Sequence, residues 1–208
     1  MKRRIFSVAL AIMIACSFSG CAGITVVKKG EELNEENGND IAAIWDEQVV
    51  PEIKENAVEL SDLLETENDN MESSGEKYGR YSNGSSGNLN FAVHVTGTVE
   101  DVNVDKKAGY LIVKQDGYDG TVCIMVQIGS VFKGTSLRDY LSFINVNDYK
   151  DQIEYAQLAK DLNAYVGENV VDYEEASNAK GKKIDIYGCF TYEKNDELLI
   201  LPVELSLS

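Results

Sequence analysis

The residue order predicts an α+β chain, mainly β, in which an amphipathic helical segment precedes a sheet of five strands. Three observations carry this. Ile41, Ile44, Trp45, Val49, Ile53, Ala57, Leu60 and Leu64 recur at spacings of three and four, the period of a helix with one apolar face. From Phe91 onward apolar residues recur at every second position, the period of a half-buried strand. A helical or irregular stretch then separates the third strand from the last two, so the order is three strands, helical insert, two strands.

Taken from the N-terminus, Lys2, Arg3 and Arg4 precede an apolar run from Ile5 to Phe18, a signal-peptide pattern too short for a comfortable membrane span. The run ends in Phe18-Ser19-Gly20-Cys21, which resembles a bacterial lipobox with Phe in place of the usual Leu. Residues 1–20 are therefore read as a lipoprotein signal and Cys21 as the lipidated residue. Acylation gives a purpose to a thiol that would otherwise be an oxidation liability outside the cell. Cys16, after Met13-Ile14-Ala15, is a poorer site, because cleavage there shortens the apolar run.

Residues 21–39, rich in Gly, Asn and Glu, read as a flexible tether, and residues 40–67 as the helical segment. Asp40 is its expected N-cap, and Pro51 predicts either a kink or two abutting helices sharing an apolar face. Trp45 falls on that face and is expected to pack against the β domain. Residues 68–90, rich in Gly, Ser and Asn, read as a flexible loop.

The β domain is placed at 91–208. Phe91 to Val104 reads as one long strand with a bulge near Glu100 and Asp101, where the apolar parity switches. Tyr110–Gln115 and Thr121–Ile128 follow around a turn, and Lys182–Glu193 with Leu198–Leu207 forms a last hairpin. With a helical insert at 135–177, this order and the bulged first strand predict a five-stranded OB-like barrel, the insert lying between strands three and four. A meander with helices on one face would give the same string. Pro202 must then turn its missing donor away from a ladder partner.

Composition narrows function by exclusion. The 208 residues carry 35 acidic against 19 basic side chains, a net charge of −16, which repels nucleic acid. The single histidine, His94, lies on the polar parity of the first strand and reads as a surface residue without a ligand partner; most zinc and imidazole-base chemistry is thereby lost. Asp105, Asp116 and Asp119 read as turn residues, their spacing not being that of an EF-hand loop. Cys123 and Cys189 both face away from the aliphatic set of their strands, which argues against a disulfide. No nucleophile elbow, phosphate-binding glycine loop or thioredoxin-type cysteine pair is present, so no enzyme, cofactor or metal site is expected.

The block Gln127-Ile128-Gly129-Ser130-Val131-Phe132-Lys133-Gly134-Thr135-Ser136-Leu137-Arg138-Asp139 is the most individual part of the chain. With Ile44-Trp45-Asp46, Val50-Pro51, Lys77-Tyr78-Gly79-Arg80, Val95-Thr96-Gly97-Thr98-Val99, Phe143-Ile144-Asn145, Asn147-Asp148-Tyr149, Gln152-Ile153-Glu154-Tyr155-Ala156 and Pro202-Val203, it resembles the predicted periplasmic lipoproteins of unknown function. The resemblance covers essentially all of the mature chain. It implies a lipid-anchored extracytoplasmic protein, often encoded beside sugar ABC-transporter components, and supplies no catalytic residues.

In the polar stretch from Gln127 to Tyr155, Ser136 with Asp139 reads as a capping box, and Asn147 or Asp148 as the cap of a helix bearing Ile153, Ala156, Ala159 and Leu162. Gly129 and Gly134 predict positive φ or a close backbone approach. Arg138, Asp139, Asn145 and Asn147 are the candidate polar lining of a small pocket in which an Arg fork grips an anionic or hydroxylated ligand. Caps and a salt bridge from Arg138 account for the same residues structurally. The expected function is a non-catalytic, lipid-anchored accessory protein that binds a small molecule or a sugar ABC-transporter component. The rivals are an envelope hydrolase using acidic side chains and a purely structural envelope lipoprotein.

Overall fold

The computed structural model describes residues 37–66, 71–82, 87–193 and 196–208; the signal peptide, Cys21 and most of the tether lie outside them. Helix α1 (Asn37–Ile44) continues through a π-helical turn (Trp45–Val49) into α2 (Val50–Asn56). Asp40 thus lies inside a helix already running at Asn37 and does not cap it. Pro51 sits in the first turn of α2, and the widened turn before it accommodates a residue that cannot donate to a regular ladder. The apolar face is kept across the junction: Ile41, Trp45, Val49 and Ile53 are all buried. Ala57 turns extended, Val58–Glu59 forms the short strand β1, and α3 (Leu60–Thr66) buries Leu60, Leu63 and Leu64.

The expected loop after it contains regular elements. Met71–Tyr78 is helix α4 and Gly79–Tyr81 is strand β2. Its glycines act as contact surface: a Cβ on Gly75 or on Gly79 would fall 2.5 Å from the Leu89 side chain, which would have to shift to make room.

The sheet is built from β3 (Leu89–Asn103), β4 (Tyr110–Gln115), β5 (Cys123–Gln127), β6 (Lys183–Tyr192) and β7 (Glu197–Leu207). Antiparallel pairs β3–β4, β4–β5, β6–β7 and β3–β6 join a parallel pair β5–β7, so the pairings run round a closed circuit. β3 serves both sides of it, pairing β6 from Leu89 to Thr98 and β4 from Gly97 to Asn103. The register shift between Val99 and Asp101 leaves Glu100 as the extra residue, where the parity of the sequence switches. A second shift beside Gly188 carries Pro202, so the missing donor sits at an irregularity in the ladder. Val95, Val99, Leu111, Val113, Ile124, Val126, Ile186 and Ile200 are buried, as the alternation requires.

Cys123 and Cys189 are both free, and β7 lies between their strands. Cys189 faces away from Ile186 and Phe190 as its parity dictates, yet it is fully buried. Helices cover that face, and Ser136 Oγ donates to the Cys189 carbonyl at 3.3 Å. Burial pushes its thiol well above the ordinary range.

Between β5 and β6 run α5 (Ser136–Tyr140), a 3-10 turn (Val146–Asp148), α6 (Gln152–Tyr165), a second π turn (Val166–Val170) and α7 (Tyr173–Ser177). The caps differ from expectation. Thr135 precedes α5, Asn145 caps the 3-10 turn by accepting from Asn147 N, and Asp151 caps α6 by accepting from Ile153 N and Glu154 N. Starting α6 at this point turns Ile153, at 81% exposure, and Ala156 outward, while Ala159 and Leu162 of the expected face are buried. Trp45 meets Tyr165 with ring centroids 4.6 Å apart, which seats the N-terminal segment on α6. Gly134 adopts φ +88°, and a Cβ on Gly129 would fall 2.2 Å from the Lys107 carbonyl; both glycines meet backbone demands that other residues do not.

Candidate functional site

A cavity of about 660 Å³ opens where β2, α5, the 3-10 turn and α6 meet. Arg138, Asp139, Asn145 and Asn147, singled out in the sequence, all line it, and so does Arg80, the other arginine beyond Arg4. α5 and β2 bring the two arginines together. α5 packs on β3 and β6 through Leu137 and Tyr140, which are buried, while β2 hangs from β3 through Arg80 paired with Asn90.

The Arg138 corner is closed. Its Nε and Nη2 donate to Asp139 Oδ1 at 2.8 and 2.6 Å, and its Nη1 donates to the Tyr155 carbonyl at 3.1 Å. The guanidinium lies 3.9 Å from the centroid of the Tyr155 ring. Asp139 Oδ2 accepts from Thr135 Oγ1 at 2.6 Å, and the Tyr155 hydroxyl is 3.4 Å from Asp139 Oδ1. With side chains only 11% and 3% exposed, Arg138 and Asp139 form a buried, internally satisfied ion pair.

The Arg80 corner is built differently. Arg80 Nη1 donates to Glu52 Oε1 and, at 2.5 Å, to the Tyr140 carbonyl. Glu52 Oε1 also accepts from Ser142 N at 2.9 Å, so one carboxylate of α2 holds both β2 and the chain two residues beyond α5. The guanidinium sits 4.4 Å from the Tyr140 ring centroid. Burial pushes the Tyr140 phenol up to about 12, against the opposing pull of Arg80, so the ring stays neutral. Burial also raises the Tyr155 phenol against the pull of Arg138.

Asn145 and Asn147 form the exposed rim, where Asn145 Oδ1 accepts from Asn147 N at 2.9 Å and from Asn147 Nδ2 at 3.0 Å. Arg80, Glu52, Tyr140 and Tyr155 were not among the residues expected at the site. The available signal was the rarity of arginine in an acidic chain, which marked Arg80 and Arg138 alike.

His94 departs from its expected place on an open surface. Its side chain is 17% exposed, its Nδ1 is 2.6 Å from Glu59 Oε1, and its Nε2 is 3.0 Å from Asp185 Oδ1. Its ring stacks on Tyr187, with centroids 4.3 Å apart. Burial alone lowers its pKa, but the two carboxylates outweigh that and hold it above the ordinary value. Among the described residues no cluster of His, Cys, Asp and Glu could hold a metal ion, and no helix is long and apolar enough to cross a membrane.

The family described as "Predicted periplasmic lipoprotein (DUF2291)" matches residues 11–206. The chain belongs to this family. It is thus a lipid-anchored protein of the extracytoplasmic side, in a family of unknown molecular function. No curated protein matches the lipoprotein's sequence. Among solved structures it resembles an OB-fold protein from Thermotoga maritima MSB8, with a TM-score of 0.63 and 14% identity, over 86% of this chain and 100% of that one. At that identity the likeness establishes the lipoprotein's fold and leaves its ligand to be argued from the cavity.

Proposed function

We propose that this lipoprotein is a non-catalytic extracytoplasmic binding protein, tethered through Cys21, that holds a small molecule in the cavity between β2, α5 and α6. The closed circuit of strand pairings is read as an OB-like barrel, with the helices between β5 and β6 as its insert. Barrel and insert together give the cavity a rigid floor. The observation that carries the reading is the convergence of both post-signal arginines, each clamped by a carboxylate and covered by a tyrosine ring, on one cavity of about 660 Å³. That volume falls in the range of ligand pockets, and preorganised planar donors are the groups such pockets use to orient polar ligands.

Asp139, the carboxylate on the cavity's lining, and Glu52, which stands behind Arg80, are both committed to arginines, an arrangement suited to holding positions rather than passing protons. This favours binding over hydrolysis. A ligand held outside the membrane by an anchored protein is also suited to delivery to a transporter.

The test is a block of the cavity. Ser142 is exposed on its wall, so Ser142→Trp fills space without entering the core. In a thermal-shift screen of polar metabolites, the wild type is expected to gain melting temperature with at least one compound. Ser142→Trp should lose that gain while keeping the unliganded melting temperature. An equal gain in the variant sinks the cavity as the binding site.

A further inference from the structure

The two arginines of the cavity differ in what they have left to give. In Arg138 the Nε and Nη2 edge, the pair of parallel N–H groups that fits two oxygens at once, is spent on Asp139, and Nη1 is spent on Tyr155. In Arg80 only Nη1 is engaged, by Glu52 and the Tyr140 carbonyl. Among the described residues nothing takes its Nε–H or its Nη2 group, although the side chain is only 30% exposed and lines the cavity. The fork expected at Arg138 is therefore closed, and the one that no described residue engages belongs to Arg80.

We propose that Arg80 reads a carboxylate, and that the ligand is a hydroxylated monocarboxylic acid; this rests on the cavity being the binding site. Two parallel N–H donors match a carboxylate in geometry and charge, and a guanidinium already fixed by Glu52 and the Tyr140 ring loses little freedom on binding. Charge selects among oxyanions. Arg80 and Arg138 are balanced by Glu52 and Asp139, so a monocarboxylate adds one negative charge to a neutral site, whereas a phosphate dianion adds two within a chain of net charge −16. The remainder of the ligand meets the rim. The pairing of Asn147 with Asn145 Oδ1 leaves the Asn145 amide group as donor and Asn147 Oδ1 as acceptor, and hydroxyls both donate and accept.

The experiment is calorimetry on the full-length lipoprotein in detergent with matched probes: glucuronate and gluconate as hydroxy acids, glucose as the neutral counterpart, and inorganic phosphate. At least one acid is expected to bind about ten- to a hundredfold more tightly than glucose, the size of a charged hydrogen-bond pair. Arg80→Lys, which keeps the charge and loses the fork, should erase most of that advantage. Glucose binding as tightly as the acids, unaffected by Arg80→Lys, overturns the carboxylate while leaving the cavity in place. Phosphate binding more tightly than either acid overturns it in favour of phosphate. No binding by any probe, with no thermal shift that Ser142→Trp removes, overturns both readings. The acid-to-glucose ratio needs no variant, so it decides the matter even where Arg80→Lys folds poorly.

Discussion

Asp139 accepts from Arg138 through two nitrogens and from Thr135, and its side chain is 3% exposed. A charge so placed is retained only because its partner is equally fixed, and removing one member strands the other. Asp139→Ala leaves the Arg138 guanidinium, 11% exposed, without its anion. The expected cost is about 3–5 kcal/mol of unfolding free energy in a urea titration. The double variant Arg138→Met/Asp139→Leu should recover most of it, because an apolar pair of similar volume replaces two desolvated charges. A single variant costing under about 1 kcal/mol, the range of exposed pairs, would remove Asp139 from the framework of the site. Arg80 lies closer to solvent, with a side chain 30% exposed, and among the described residues only its Nη1 is engaged, so the two arginines that line the cavity differ in how fully they are bound into its wall.

At the scale of elements, His94 on β3 joins β1 and β6, with Glu59 on one ring nitrogen and Asp185 on the other. Lys54 on α2 lies over the Tyr187 ring at 4.7 Å and pairs with Glu204 on β7, so the ring that stacks on the imidazole is itself held by α2. The pKa of His94 is raised above 6.5 in the folded chain. Its contribution to stability is therefore complete below the unfolded value and is lost as pH rises through the folded one. Urea midpoints of the wild type should fall across that rise, and His94→Gln should show a flatter profile; parallel profiles would contradict the clasp. Glu59 and Asp185 could not be assigned to His94 from the sequence, because a two-residue strand such as β1 has no period to read. The long strands were legible: Phe91 to Val99 alternate, and Glu100 breaks the alternation where the register shifts. Helix α4 was not, because Gly75 and Gly79 read as flexibility until Leu89 is placed against them. Four cavity residues, Arg138, Asp139, Asn145 and Asn147, were legible as polar groups in the stretch from Gln127 to Tyr155. Arg80 and Glu52 were not, since only the pairing of β2 with β3 and the seating of α2 carry them to α5.

At the scale of the whole molecule, charge and anchor act in opposite directions. Removing residues 1–20 takes Lys2, Arg3 and Arg4, leaving sixteen basic against 35 acidic side chains and a net charge of −19. Sixteen of those acids lie between Glu31 and Glu76, with Lys54 as the first base among them until Lys77 is reached. Part of that segment is fastened to the sheet side of the molecule through Lys54 with Glu204 and Glu52 with Arg80, so its excess charge travels with the folded body. Anionic lipid repels such a body, and electrostatic adhesion cannot be what keeps it at the membrane. Salt then becomes diagnostic. A protein held by charge is released as the screening length drops from about 8 Å at physiological strength to about 3 Å at 1 M. A protein held by acyl chains is not, because burial of hydrocarbon does not depend on screening, and two chains anchor stably where one is marginal. The wild type is expected to stay in the membrane fraction through a 1 M salt wash, and Cys21→Ser to appear in the soluble fraction without one. Sedimentation of Cys21→Ser with membranes would place the anchor elsewhere. Release of the wild type by salt would reverse the argument from charge, because a chain at −19 would then be adhering to a basic partner rather than standing off a lipid surface.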